Sequence, residues 1–314
     1  MYINSIGYYL PELVVSNSYF SKINGHTDEW ISRRTGIIER RKAGPKENTN
    51  TMVCEAVKQA LTGNPYSIQD VELIIGATYT PYDTVITLAH AVQHKFNISG
   101  VKVVSVSSAC SSFINSIEIV EGYFASNKAE LALIVTSEHN TTYSNDSDES
   151  SGHLWGDGAA AVFISKKRLS ENDLKILDVN TEGLGNIGNP HENVFLNPSN
   201  GGLKMPNGRD VFKNANKYMA KALEDILEKN SMSINDINYV ITHQANARII
   251  ENVRNHFKIG KEKMIINIDK LGNTGSASTP IALTQIIKKI RHKDVVGITV
   301  FGGGYSSGAL LIEK

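Results

Sequence analysis

Short runs of consecutive apolar residues alternate along this chain with segments in which apolar residues recur every three or four positions. Val71–Thr78 (VELIIGAT), Lys102–Ser107 (KVVSVS) and Leu131–Thr136 (LALIVT) are strand-like runs. Between the last two, Phe113, Ile117, Val120 and Phe124 fall on one face of a helix. Strand, helix, strand over this distance predicts a parallel βαβ unit, because parallel neighbours need a crossover of that length.

The second half of the chain repeats this pattern. A shift of 166 lays Asn50–Thr78 on Asn216–Gln244 without a gap, with eight of 29 positions identical, among them Ser67/Ser233, Ile68/Ile234 and Asp70/Asp236. A shift of 165 lays Lys128–Val135 on Lys293–Val300, and a shift of 148 lays Val162–Ile164 on Leu310–Ile312. The change of shift places an extra loop in the first half, near Asn140–Asp157, whose polar string Asn145–Ser151 reads as a surface insertion. We therefore expect an α/β fold of two βα halves related by a pseudo-twofold axis. Residues 1–170 form the half carrying Cys110, and residues 171–314 the half carrying His243 and Asn273. Gly183–Gly208, rich in Gly, Pro and Asn, reads as a long loop region joining them.

Composition narrows the function. Thirty-two basic residues balance 32 acidic ones, which argues against a nucleic-acid binder, since phosphate recognition needs a basic excess. No run of about 18 apolar residues exists, so no membrane span is expected. MYINSIGYYLPELVV lacks a basic region and a small-residue cleavage site, and is read as mature protein. Two cysteines make no disulfide framework at this length, so the expectation is a cytoplasmic enzyme with free thiols.

Several strings mimic known chemistry. Gly183–Gly188 fits G-x-G-x-x-G, but Asn189-Pro190 follows where a dinucleotide site needs a helix. Gly304–Gly308 fits G-x-S-x-G, but only six residues remain and none is the histidine a serine hydrolase needs. There is no P-loop, and the nine histidines and two cysteines show no zinc spacing, so no metal is expected. Cys54 lies in an apolar helical pattern and reads as core. Cys110 differs: it follows an apolar strand and opens an amphipathic helix among small residues (SSACSSF). A helix N-terminus favours thiolate, so a lowered pKa and a nucleophilic role are expected there, against the ordinary reading of a small buried hydrophobe. His243 ends a strand, and Gln244–Arg248 reads as the opening of a helix. Asn273 sits in the glycine-rich turn LGNTGSAS. The internal repeat puts Ser108 on Asn273 and Cys110 on Gly275, so the two turns should face one another across the pseudo-twofold, with His243 at the same seam.

With these residues in order, the chain resembles the β-ketoacyl-[acyl-carrier-protein] synthase III family. SSACSSF, THQANARI, LGNTGSAS and the terminal FGGGYSSGALLI carry the likeness, as do TDEWISRRTGI and WGDGAAA. The resemblance implies a thiolase-like fold layered α-β-α-β-α. It also implies a decarboxylative Claisen condensation of the fatty acid initiation type, giving a 3-oxoacyl-carrier protein. Cys110 would hold the acyl group, His243 and Asn273 would stabilise the enolate left by decarboxylation, and the N–H groups of Cys110 and Gly303 would form an oxyanion hole. Trp30 and Arg34 would contact the nucleotide of coenzyme A, Gly208 and Asn246 would line the pantetheine tunnel, and Arg248 would help dock the acyl carrier protein. No cofactor is implied, since coenzyme A and carrier-protein thioesters are substrates, and a homodimer is expected.

Two departures from the family pattern bear on the donor. Asp148–Ser151 stands where initiation enzymes often carry an arginine for the nucleotide, and Val85 stands where the partner subunit often presents a bulky aromatic to the acyl chain. Both favour longer or carrier-bound donors, as in condensing enzymes of dialkylresorcinol or quinolone-type pathways. Two further readings compete: a Cys-dependent thioester hydrolase, given that Cys110, His243 and Asn273 follow the order of papain-like enzymes, and a non-catalytic binding subunit.

Overall fold

A computed structural model describes residues 1–314. Ten strands form one mixed sheet. The first half of the chain supplies β1 (Tyr2–Tyr9), β2 (Leu73–Ala77), β3 (Lys102–Val106), β4 (Leu131–Glu138) and β5 (Gly158–Ser165). The second half supplies β6 (Leu174–Gly183), β7 (Tyr239–Thr242), β8 (Met264–Ile265), β9 (Val295–Gly302) and β10 (Ser306–Glu313). The order across the sheet is β8-β7-β9-β10-β6-β1-β5-β4-β2-β3. Read outward from the centre, each half therefore runs first strand, fifth, fourth, second, third. Pairing sense repeats too: β2 lies parallel to β3 and β4 as β7 does to β8 and β9, while β4/β5 and β9/β10 are antiparallel. The two halves meet edge to edge through only two residue pairs, Tyr2 with Lys175 and Ile3 with Leu174.

The packed helices are α1 (Asp28–Thr35), α2 (Thr49–Leu61), α3 (Leu88–Phe96), α4 (Ser112–Ala125), α5 (Gly208–Lys229), α6 (Ala247–Phe257) and α7 (Ser278–Ile286). Helices α2 and α3 pack on strands of the first half, and α5 packs on β9, β10 and β6 of the second, with α6 against α5. Helix α4 touches β2, β3 and β4 of its own half and β6 and β10 of the other, while α7 touches β1 and β5 as well as β7. The sheet thus folds about its seam into two leaves with α4 and α7 between them, giving the five layers α-β-α-β-α. Phe113, Ile117, Val120 and Phe124, the helix face read from the sequence, are all buried in this middle layer beside Leu283 and Ile286 of α7. Full burial of each such side chain contributes roughly 1.5–3 kcal/mol.

The repeat is visible at the level of single hydrogen bonds. Ser-Ile-Gln-Asp and Ser-Ile-Asn-Asp each form a one-turn helix, Ile68–Asp70 and Ile234–Asp236, and in both the Asp side chain reaches back to accept from the Ser backbone N–H. Two expectations need correcting. The segment 140–157 is not simply a surface insertion: 145–150 is exposed or half-buried, but every residue of 151–157 is buried. Arg40, itself fully buried, donates to His153 O at 2.7 Å and to Asn17 Oδ1 at 2.8 Å, which pins that stretch inside. Gly183–Gly208 is also more ordered than a loop: it contains the short helix Pro190–Asn193 and a hairpin of Phe195–Asn197 with Gly202–Lys204.

Candidate active site

Turns from both halves open onto one cavity of about 620 Å³, whose lining includes Cys110, His243, Asn273 and Gly303. No lysine, arginine, aspartate or glutamate lines it.

Cys110 lies in the tight turn from β3 into α4. Ala109 takes a left-handed φ of 48°, and the flanking serines bind the turn's backbone: Ser108 N–H donates to Ser112 Oγ at 2.8 Å, and Ser111 Oγ donates to Ser108 O at 2.7 Å. The small residues of SSACSSF are what this turn requires. At the end of β9, a Cβ on Gly302 would fall about 3.0 Å from Cys110 N and Ser111 N, so only glycine lets that strand come so close. The thiol does not ionise as easily as its helix-start position suggested. Burial, and then the Glu138 carboxylate, push its pKa up to about 12, against the pull of the Gly303 and Cys110 backbone N–H groups. Desolvation and the buried carboxylate together outweigh those N–H groups. Cys54 is buried in the first-half core.

His243 follows β7 and is 3% exposed. Its backbone N–H donates to Thr299 O at 2.9 Å, and its ring Nδ1 lies 2.7 Å from Ser278 Oγ, at the start of α7. When that hydroxyl donates to Nδ1, the ring proton sits on Nε2. Burial lowers the imidazole pKa to about 4, so the ring is neutral at physiological pH. The following helix starts later than the sequence pattern implied, at Ala247, because Asn246 Oδ1 accepts from Arg248 N and caps it.

Asn273 is held by its backbone from both sides: its N–H donates to Leu154 O at 2.9 Å, and its carbonyl accepts from Gly156 N at 3.0 Å and Asn140 Nδ2 at 3.2 Å. Its side-chain Oδ1 accepts from Gly275 N at 2.9 Å, which leaves the amide Nδ2 as the group free to donate. A Cβ on Gly156 would lie 2.0 Å from Leu271 O, so glycine there lets the 151–157 stretch reach the Asn273 turn.

The remaining expected residues separate into two groups. Gly208 and Asn246 line the cavity, and Asn246 Nδ2 also donates to Arg34 O at 3.2 Å, joining α6 to α1. Trp30 and Arg34 lie outside the lining, with the Arg34 guanidinium 4.6 Å from the centre of the Trp30 ring. The His26 ring stacks on Trp30 at 3.7 Å and bonds through Nε2 to Glu149 O at 2.7 Å. Arg248 is exposed on the first turn of α6, and Val85 is 76% exposed, away from this chain's own cavity. Sequence reasoning missed Ser278, Tyr79, Trp155 and Glu138. Ser278 closes the same LGNTGSAS string, and Glu138 is a charged residue ending an apolar strand, so both left a signal.

Comparison with known proteins decides the family. The family profile described as 3-oxoacyl-[acyl-carrier-protein (ACP)] synthase III matches residues 104–185, and its C-terminal counterpart matches 227–314. The β-ketoacyl-[acyl-carrier-protein] synthase III of Aquifex aeolicus is 38% identical over 310 residues, covering 98% of this chain and 97% of its own. The chain belongs to the β-ketoacyl-[acyl-carrier-protein] synthase III family. The synthase III of Staphylococcus saprophyticus is 35% identical over 99% of this chain and 98% of its own. The crystal structure of 3-oxoacyl-[acyl-carrier-protein] synthase III from Aquifex aeolicus superposes with a TM-score of 0.92 at 36% identity, covering 100% of this chain and 99% of that one. The fold is accordingly thiolase-like and the protein an acyltransferase of the ketoacyl synthase III type. No helix is long and apolar enough to cross a membrane.

Proposed function

We propose that the chain joins an acyl thioester to a malonyl-type carrier-protein thioester by decarboxylative Claisen condensation, initiating fatty acid synthesis. One observation carries this: a thiol, a neutral imidazole and an oriented amide open on one cavity otherwise free of charged side chains.

In the first half-reaction Cys110 sulfur attacks the donor carbonyl. The carbonyl oxygen turns toward the N–H groups of Cys110 and Gly303, and collapse expels the donor thiol, which carries off the proton lost by Cys110. Because the resting thiol is protonated, this step accelerates with rising pH. In the second half-reaction the malonyl group loses carbon dioxide, and the electron pair passes to the thioester oxygen. His243 Nε2 and Asn273 Nδ2 donate to that oxygen. Neutral donors act only as charge develops, and each contributes about 3–4 kcal/mol. The enolate carbon then attacks the acyl group on Cys110, releasing the free thiol and a 3-oxoacyl-carrier protein.

A second reading concerns the donor. The His26 ring occupies a face of Trp30, and Asp148–Ser151 brings no cation, which favours a carrier-bound or longer acyl donor over acyl-coenzyme A, as in dialkylresorcinol or quinolone-type pathways. The chain acts as a homodimer in this proposal. Strand β3 is an unpaired sheet edge, and exposed Tyr82, Val85 and Ile86 follow its neighbour β2, so a partner subunit covers both and receives Val85 near its acyl end.

The test is incubation with labelled acyl-coenzyme A or acyl-carrier donors plus malonyl-carrier protein. Acyl-Cys110 and a 3-oxoacyl product are expected, and Cys110→Ala abolishes acylation with the fold intact. Free acid as the sole product would establish a hydrolase. No label from any donor would establish a binding subunit.

A further inference from the structure

The condensation scheme leaves unused a carboxylate buried beside the reacting groups. Glu138, the last residue of β4, has no accessible surface. Its Oε2 accepts from Thr80 Oγ1 at 2.5 Å, Thr78 Oγ1 at 3.1 Å and Thr80 N at 3.2 Å. Its Oε1 accepts from Ser276 Oγ at 2.5 Å and from Tyr79 N at 3.4 Å. Thr78–Thr80 is the turn after β2 in the first half, and Ser276 belongs to the Asn273 turn of the second. One carboxylate therefore spans the seam that the sheet itself joins through only two residue pairs.

What it holds is close to the chemistry. A Cβ on Gly275, which has a left-handed φ of 57°, would lie 2.6 Å from the Tyr79 hydroxyl and 2.9 Å from Glu138 Cγ. The Tyr79 side chain lines the cavity with Cys110, and its hydroxyl donates to Asn140 Oδ1 at 2.6 Å. Asn140 in turn donates to Asn273 O. Every bond to Glu138 comes from a hydroxyl or a backbone N–H, and none from a lysine, arginine or histidine. Its charge acts on Cys110, in the turn before α4, and on Tyr79, on which Asp157 also acts, while the adjoining His139 faces Asp157 at 3.8 Å.

We infer that Glu138 is a positioning residue that clamps the Asn273 turn to the turn flanking the thiol, and that its negative charge restrains ionisation of Cys110. The physical basis of the second part is that two anions close together in a low-dielectric site oppose one another. Burial raises the carboxyl pKa to about 7, so its charge changes within a measurable range. Below that pH the carboxyl is neutral and the thiol ionises more readily. Above it the thiol is restrained.

This inference rests on the condensation scheme for the roles of Asn273 and Cys110, but its charge effect is measured independently of turnover. Alkylation of Cys110 by iodoacetamide in the full-length protein is followed against pH by mass analysis of the Cys110 peptide, which separates it from Cys54. The logarithm of the rate should climb with pH, flatten around pH 7 as Glu138 ionises, and climb again. Glu138→Gln should erase the flattening and raise the rate at pH 8 several-fold. Ser276→Ala should keep the flattening while malonyl-carrier decarboxylation falls about tenfold or more, the scale of a hydrogen bond to a charged group. A straight profile for the unaltered protein refutes the charge effect even if Glu138→Gln does not fold. Unchanged decarboxylation in Ser276→Ala refutes the clamp. Absence of turnover in the unaltered protein, with the flattening present, would overturn the condensation scheme and the clamp with it, and leave the charge effect standing.

Discussion

Asn273 offers the sharpest test of the enolate proposal, because its backbone and side chain are held by different bonds. Leu154, Gly156 and Asn140 fix its main chain, while Gly275 N fixes only its side-chain oxygen at 2.9 Å. Asn273→Ala should therefore leave the turn in place, costing about 1 kcal/mol of stability for the lost Gly275 bond. It removes one donor to the developing oxyanion, so malonyl-carrier decarboxylation should fall roughly 10²–10³-fold. Asn273→Asp keeps the shape and still accepts from Gly275, but presents an acceptor where the enolate needs a donor. Its loss should equal or exceed that of Asn273→Ala. Both half-reactions are measured separately: transfer of labelled acyl to Cys110, and release of labelled carbon dioxide from malonyl-carrier protein. Acylation should stay within about fivefold of the unaltered enzyme, the scale of one neutral hydrogen bond. Equal losses in the two half-reactions, or an Asn273→Asp variant that decarboxylates at near-normal rate, would refute the donor role.

Four further outcomes are expected. With its folded pKa near 4, below the unfolded 6.5, His243 stays neutral, so in Glu138→Gln, where the carboxylate no longer titrates, decarboxylation should show no inflection near pH 6.5. Its linkage contribution to stability is intact above about pH 6.5 and drains as pH falls toward 4, by roughly 3 kcal/mol, which melting curves of the protein and of His243→Gln would reveal. Arg248→Glu should raise KM for malonyl-carrier protein while leaving acylation by small thioesters unchanged, and the difference should shrink in high salt; a salt-independent KM would count against docking there. On the proposed homodimer Val85→Phe should shorten the donors accepted, and an unchanged chain-length profile would remove that argument.

The fold was legible where apolar periodicity was conserved between halves. The shift of 148 that aligned three residues near the C-terminus lays the whole of Gly158–Ser165 on Ser306–Glu313, two strands with equivalent places in their leaves. That Cys110, His243 and Asn273 share a cavity was legible for the same reason, because each follows a strand end or turn that the repeat brings to the seam. What local sequence could not show was anything settled by distant neighbours. The thiol's ionisation depends on burial and on Glu138, which the fold delivers from another strand. The polarity of 145–151 hid the fact that 151–157 runs inside, because its anchor, Arg40, lies more than a hundred residues away. The tautomer of His243 turns on Ser278, a serine that looks like any other in its small-residue string.

The cavity wall offers neither ammonium nor guanidinium to an entering carboxylate. A malonyl head group that leaves bulk water there meets neutral donors but no countercharge, so its lost hydration is only partly compensated, whereas an uncharged acyl group loses little. Release of carbon dioxide removes that mismatch by moving the charge onto the thioester oxygen, where His243 and Asn273 donate. Free dicarboxylates should accordingly make poor inhibitors, and compact neutral mimics of the extender good ones.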